Sequence, residues 1–287
     1  MSTQKSKFPG IISVDLDGTV LSADHATISS RTRKALEDYI QAGSQLVPNT
    51  GRCQDIIPLQ EFPPVRYVIS GNGSLIVDLE ENRILRAVYL PREDVRKVWE
   101  RIRDRVNTYH IPLEMFEQTR IVVERRVFDD FETYRKVLPL FHIGYIREGK
   151  AKFVESFDKY LEEEGDRVIK INLPGKSIAN CPELRQELID MGLFEVTSDG
   201  TNLEVTTKGC QKGEALLWLN NYLKLPENSI VSFGDGNNDL SMLRIAAYGV
   251  AMGNASQDVK REAPYCTLSN TEDGIADFLE RTFPLDN

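Results

Sequence analysis

Asp15 and Asp17 stand one residue apart directly after the apolar run Ile11-Ile12-Ser13-Val14, and Gly18-Thr19 follow them. If the strand stays extended to Asp17, its two-residue period puts both carboxylates on one side of the backbone and Leu16 on the other. Two carboxylates converging on one centre suit phosphoryl transfer, one as nucleophile and the other to give and take a proton. Gly18 permits the tight turn that brings backbone N–H groups close to an anion. Asp-x-Asp alone is a weak pattern, equally compatible with two solvated aspartates in a loop.

Other segments supply the missing parts. The run Ile230-Val231-Ser232-Phe233 leads into Gly234-Asp235-Gly236-Asn237-Asn238-Asp239, and carboxylates spaced by glycine after a strand suit a hard divalent cation. The loop lacks the alternating pattern and closing Glu of an EF-hand. Lys212 opens a predicted helix and can meet an anion as a point charge. Thr50 offers a hydroxyl and an N–H, and Gly51 lets the main chain come close. Singly, these read as a solvated lysine, a turn and a polar loop. Their common place after strands weakens those readings together.

The elements that position them alternate. Strands are predicted at Ile11–Val14, Gln45–Val47 and Tyr67–Ile69, with a helix between the first two capped by Ser29 or Ser30 and stopped at Gly43. Helix 212–223, strands 229–233 and 248–251 and a last helix 275–281 resume the pattern. Strand–helix alternation indicates a parallel sheet whose ligands lie beyond the carboxyl ends of the strands, where Asp15, Asp17, Thr50 and Asn72 fall. Pro48 cannot donate to a sheet ladder, so the second strand either ends early or needs no donor there. From about Asn82 the texture becomes α+β. A charged helix is predicted at 91–109, extended segments at 113–117 and 120–124, helices at 128–137, 152–164 and 182–191, a strand at 168–173, and a hairpin of 194–197 and 201–207 around Ser198-Asp199-Gly200. The expected organisation is a core of 1–81 plus 208–287 with an inserted 82–207 domain.

Composition narrows the class. The 287 residues are 41% hydrophobic and 28% charged, ordinary for a folded protein, and the net charge of −9 argues against a nucleic-acid binder. No apolar run approaches a bilayer span, and the first ten residues hold no apolar signal core, so a cytoplasmic protein without membrane association is expected. The four cysteines, Cys53, Cys181, Cys210 and Cys266, lie far apart with no Cys-x-x-Cys, which predicts reduced thiols and no zinc site. His25, just past the carboxylate loop, reads as an exposed loop histidine.

The ordered motifs Asp15-x-Asp17-Gly18-Thr19, Thr50-Gly51-Arg52, Lys212-Gly213 and Gly234-Asp235-Gly236-x-Asn238-Asp239 resemble the haloacid dehalogenase superfamily, specifically its Cof-type phosphatases with a large α/β cap. Gly249–Ala255 and Ser269–Ala276 resemble the C-terminal run of that subfamily. The resemblance implies an α/β, Rossmann-like core with an inserted α+β cap. It implies Asp15 as nucleophile forming an aspartyl-phosphate, and Asp17 as acid then base. It implies Mg²⁺ held by the Asp15 carboxylate, the Asp17 carbonyl and Asp235, with Asp239 in support. Leu16, Thr50, Gly51, Lys212 and Asn238 would bind phosphate. The expected function is hydrolysis of small phosphorylated metabolites, sugar phosphates foremost, by a monomer or small homo-oligomer. A phosphomutase or specialised phosphohydrolase on the same core, and a non-catalytic phosphate- or metal-binding regulator, are the alternatives. Arg52, Asn72 and His25 stay open as substrate contacts.

Overall fold

The computed structural model describes residues 8–136, 138, 140–175, 181–192, 194–197, 202–226 and 228–285. The chain starts with β1 (Ile11–Val14), α1 (Ser30–Gln41), β2 (Gln45–Pro48), β3 (Tyr67–Ser70), β4 (Leu75–Asp78) and β5 (Arg83–Ala87). It continues with α2 (Arg92–Thr108), β6 (Glu114–Phe116), β7 (Ile121–Glu124), α3 (Arg125–Asp129), α4 (Phe131–Tyr134), α5 (Leu140–Arg147), β8 (Lys152–Val154) and α6 (Phe157–Glu163). Then come β9 (Lys170–Pro174), α7 (Pro182–Asp190), β10 (Phe194–Thr197), β11 (Asn202–Thr207) and α8 (Lys212–Tyr222). The last part holds β12 (Ile230–Gly234), α9 (Leu240–Ile245), β13 (Tyr248–Ala251), α10 (Gln257–Glu262), β14 (Tyr265–Cys266) and α11 (Gly274–Thr282). No helix among the described residues is long and apolar enough to cross a membrane.

Two compact units result, one of 1–51, 58–85 and 211–287, the other of 52–57 and 86–210. In the first, five parallel strands run in the order β14-β13-β12-β1-β2. The interior strand β1, between β12 and β2, is entirely buried, as the run Ile11–Val14 requires of a parallel strand covered on both faces. Ile11, Val47, Ile76, Leu216, Leu219, Ile230 and Met242 share one apolar cluster in this unit. Ser29 caps α1, its side chain accepting from the Thr32 N–H. Strands β3, β4 and β5 form a smaller sheet, and this pairing keeps the chain in the first unit as far as Leu85.

The structure resolves the Pro48 alternative. The strand runs through Pro48, pairing with Val14 of β1. Asn49 N–H donates to Val14 O at 2.8 Å and Thr50 N–H to Ile69 O at 2.9 Å, so alternate amides face opposite neighbours. The nitrogen of Pro48 therefore faces the β3 side, where pairing begins only at the Asn49–Ile69 bridge. That position needs no donor.

The second unit is built on a six-stranded sheet of order β10-β11-β9-β6-β7-β8, antiparallel except for β7 with β8. One face is apolar: Met115, Val122, Ile171, Leu173, Leu203 and Val205 pack with Val95, Val98, Trp99 and Ile102 of α2, Phe157 and Leu161 of α6, and Leu184 and Leu188 of α7. At the opposite parity Glu204, Asn172 and Glu114 sit opposite one another across β11, β9 and β6. Two predicted helices are corrected here. The 152–164 segment begins as strand β8, and the helix starts only at Phe157, after Ser156 caps it by accepting from the Lys159 N–H. The 128–137 segment starts earlier, at Arg125, and breaks at Asp130, whose φ of −109° and ψ of 47° leave the helical region. Val137 and the Ser198-Asp199-Gly200 turn lie outside the described residues, whereas β10 and β11 pair as the hairpin predicts.

Candidate active site

Loops from the carboxyl ends of β1, β2 and β12 carry the predicted residues apart from Lys212, which opens α8. Asp15 continues the ladder by one bond, its N–H donating to Phe233 O at 3.0 Å. The chain then leaves the extended form, contrary to the simple strand expectation. Val20 N–H reaches Asp15 O and Leu21 N–H reaches Leu16 O, bonds that close a wide turn over Leu16–Val20. Gly18 makes the turn possible at φ +77°, and a Cβ there would lie 2.3 Å from Oδ2 of Asp235. Asp15 is buried, while the Asp17 side chain is one-third exposed.

Lys212 is the buried counter-charge. Its Nζ donates to Oδ1 of Asp15 at 2.6 Å and to Oδ1 of Asp239 at 2.7 Å, and its side chain is fully enclosed. Burial alone would depress the ammonium, but the two carboxylates outweigh it and hold its pKa above the ordinary lysine value. The Lys212 turn is fixed in turn: Asn49 Nδ2 donates to Lys212 O at 3.2 Å, and Gly213 N–H donates to Oγ of Ser241 at 3.0 Å. A Cβ at Gly213 would lie 2.4 Å from Ser241 O, so only glycine allows that approach.

Asp239 is fully buried and saturated: Oδ1 takes Lys212, and Oδ2 takes the N–H groups of Asp235 at 3.0 Å and Gly236 at 2.9 Å. It thereby folds the 234–239 loop around itself. Asp235 accepts from Thr19 Oγ1 at 2.8 Å. Ligand atoms of Asp15, Asp235 and Asp239 lie within 4.8 Å of one another. This crowding has an electrostatic cost. Burial first, and then the Asp239 charge, push Asp15 well above the usual carboxylate range, against the opposing pull of Lys212. Asp235 is pushed up to about 7, again by burial first and Asp239 second. One lysine does not neutralise three carboxylates, and an all-oxygen set with excess negative charge fits a hard divalent cation. The carboxylate of Asp17 lies outside this cluster, though its charge contributes to raising both neighbours.

Thr50 is buried beside the same edge, and its carbonyl accepts from Asn72 N–H at 3.0 Å. Asn72, in the left-handed region at φ +57°, accepts through Oδ1 from Asn238 Nδ2 at 3.2 Å. Asn238, Asn72 and Thr50 are thus linked, which gives Asn72 a place at the site that its sequence position left open. Arg52 falls in the second unit, where its Nη1 donates to Ile56 O at 3.2 Å.

Three participants escaped the sequence reading of roles. Asn254 Nδ2 donates to Gly18 O at 2.8 Å, and its Oδ1 accepts from Asn270 N–H at 3.1 Å. Asn270 Nδ2 in turn holds Leu21 O at 2.8 Å. Both asparagines lie in the C-terminal runs noted in the sequence, and they clamp the turn that carries the aspartates. The third is His25, whose Nδ1 lies 2.8 Å from Oδ1 of Asp17.

Residues 12–279 match the family model for haloacid dehalogenase-like hydrolases. The chain belongs to that family. Among relatives of this hydrolase, phosphatase YwpJ of Bacillus subtilis (strain 168) is 28% identical over 94% of this chain and 98% of its own length. The 5-amino-6-(5-phospho-D-ribitylamino)uracil phosphatase YcsE of the same organism is 30% identical over 93% of this chain and 92% of its own. Among solved structures, the subclass IIB sugar phosphatase BT4131 superposes with a TM-score of 0.75 at 27% identity, covering 94% of this chain and 98% of that one. The hydrolase is a Cof-type member with the α/β fold of the superfamily, and an enzyme of the phosphatase class.

Proposed function

We propose that this phosphatase is Mg²⁺-dependent and hydrolyses small phosphorylated metabolites, sugar phosphates foremost, through a covalent aspartyl-phosphate on Asp15. The observation that carries the reading is the buried bridge from Lys212 to Asp15 and Asp239 beside Asp235. Relatives named for a ribityl phosphate and for sugar phosphates support the substrate class.

Mg²⁺ would be held by the carboxylates of Asp15 and Asp235 and the carbonyl of Asp17, with Asp239 behind them. When bound, it supplies the positive charge that lets an anionic nucleophile and an anionic ester approach. Lys212, Thr50, Gly51, Asn238 and the Leu16 backbone would hold the phosphoryl oxygens, and Lys212 also steadies the nucleophile. An Asp15 carboxylate oxygen attacks phosphorus, and the ester P–O bond breaks with its electron pair going to the leaving alkoxide. Asp17 gives that oxygen its proton. The Asp17 carboxylate then takes a proton from water as the water attacks phosphorus, and the P–O bond to Asp15 breaks to release inorganic phosphate. Substrate choice would rest with the 86–210 unit, acting as a cap.

A phosphate-release screen across phosphorylated metabolites, run on the intact protein and on Asp15→Asn, tests the reading. The intact enzyme should lose activity in EDTA and regain it with Mg²⁺, and the folded Asn variant should turn over at background. Full activity in EDTA, or in the variant, would refute the mechanism.

A further inference from the structure

We propose that His25 is a positioning residue for proton transfer: its Nδ1–H holds Oδ1 of Asp17 and so fixes the orientation of the carboxylate that gives and takes the proton. The inference rests on Asp17 being the acid and base of the reaction. A carboxylate on a partly exposed turn has several rotamers available, and the two oxygens exchange by a simple rotation. Proton transfer rewards one orientation, because small misplacements of a reacting group are costly. The 2.8 Å contact between Nδ1 and Oδ1 supplies that restraint. An ionised carboxylate only accepts hydrogen bonds, so the ring nitrogen facing it carries the hydrogen. With Oδ1 held in this way, the plane of the carboxylate is fixed relative to the Leu16–Val20 turn.

The loop that presents the imidazole is organised around it. Ser22 N–H donates to Thr27 O at 2.8 Å, and His25 N–H donates to Ser22 O at 2.9 Å. The Asp24 carboxylate collects the N–H groups of Ala26 and Thr27, both at 3.0 Å, and the Thr27 hydroxyl at 2.7 Å. Those donors, the Thr27 hydroxyl foremost, hold Asp24 down to about 2. The bracket keeps His25 at φ +56°, a left-handed backbone that a residue with a side chain rarely adopts and that the surroundings must enforce. At the other side, Asn270 fixes Leu21 O at the junction between the aspartate turn and this loop. The imidazole and its target therefore rest on one hydrogen-bonded frame.

The backbone conformation dictates the test. Glycine at position 25 accepts positive φ but offers no donor, whereas asparagine accepts positive φ and places an Nδ2–H where the imidazole had Nδ1–H. His25→Gly, His25→Asn and Asp17→Asn would be compared as full-length proteins by kcat/KM, which reports the step in which the leaving group departs. The probes are phenyl phosphate, whose leaving oxygen needs a proton, and 4-nitrophenyl phosphate, whose anion leaves unaided. Asp17→Asn should lose roughly 10²–10⁴-fold on phenyl phosphate and far less on the nitrophenyl ester. His25→Gly should lose about tenfold on phenyl phosphate and under about threefold on the nitrophenyl ester, a fraction of the full general-acid effect. His25→Asn should restore phenyl phosphate hydrolysis to near the wild-type value. Equal losses on both esters for His25→Gly, no loss at all, or an Asn variant no better than Gly would overturn the role of His25 while Asp17→Asn keeps its contrast. If Asp17→Asn shows no contrast between the esters, the reading of Asp17 fails and this inference with it.

Discussion

Each unit buries a lysine against carboxylates, and the two arrangements are balanced differently. In the second unit Lys170 is paired with Glu204, and its Nζ lies 4.2 Å from the centre of the Phe116 ring. Nearby, Glu114 accepts from Asn172 and is joined to His142, while Asn202 donates to Asn172. That network has donors for its acceptors. In the first unit Lys212 faces Asp15 and Asp239 with Asp235 close by, and Asp15 and Asp235 are both pushed toward neutrality. A balanced buried pair specifies a structure, whereas an unbalanced cluster stores demand for a further positive charge.

Breaking each lysine should separate these roles. Lys212→Met should reduce turnover by roughly 10²–10³-fold, the scale of losing one preorganised charge stabiliser. Lys170→Met should destabilise the fold by about 3–5 kcal/mol by taking the ammonium away from the buried Glu204 carboxylate, with Mg²⁺ giving no recovery in a thermal melt. A Lys170→Met enzyme that is rescued by Mg²⁺ would erase the distinction between the clusters.

A smaller effect comes from pH. Burial and the Asp239 charge push the Asp235 carboxyl up to about 7 from an ordinary value of 3.8, so the folded state binds the proton more tightly than the unfolded chain. Stability from this group is full below about pH 4 and declines as pH rises through 7. If Mg²⁺ is held as proposed, it selects the ionised form, and the melting-temperature gain on adding it should grow as pH climbs from 5 to 8, in the manner of any ligand that binds only the folded state. A gain that shrinks over this range would contradict the charge imbalance.

The smallest change is expected from Lys170→Met combined with Glu204→Leu. Removing both partners of a buried pair is often close to neutral, within about 1–2 kcal/mol by chemical denaturation, because no charge is stranded. A double variant as unstable as the single one would mean that the pair is coupled to more of its surroundings than Phe116 and the sheet.

The contrast also explains what the sequence made readable. The chemistry of the first unit sits in short runs directly after parallel strands, where a single loop brings Asp15 and Asp17, or Asp235 through Asp239, to one edge. Strand ends and glycine placement mark those loops, while the roles of their residues came from the family resemblance, and the turn over Leu16–Val20 departs from the strand period. The partners Asn254 and Asn270 are legible as members of a motif but not by role, since Asn254 reaches Gly18 across 236 residues of chain. His25 gave no signal beyond its proximity, because its role depends on a left-handed backbone set by hydrogen bonds within its own loop. In the second unit, Lys152–Val154 has no strand signature apart from its neighbour β7, and the break at Asp130 depends on one residue's backbone angles. The polar face of Glu114, Asn172 and Glu204 follows from register across three strands, which no local pattern specifies.

The order of strands has a consequence for synthesis. β1 lies between β2 and β12 in the five-stranded sheet, and the Thr19–Asp235 contact closes a loop of 216 residues. A chain emerging from the ribosome can pair β1 with β2 early, yet the other edge of β1 waits until the entire 86–210 segment has been made. Contacts of such long range form late and slowly. During that interval a strand that is fully buried in the finished fold presents an unpaired edge, the type of surface on which partly made chains associate with one another. Asp15, Asp235 and Asp239 cannot come together before residue 239 has left the exit tunnel, so this buried carboxylate cluster forms only after the whole 86–210 unit has been made.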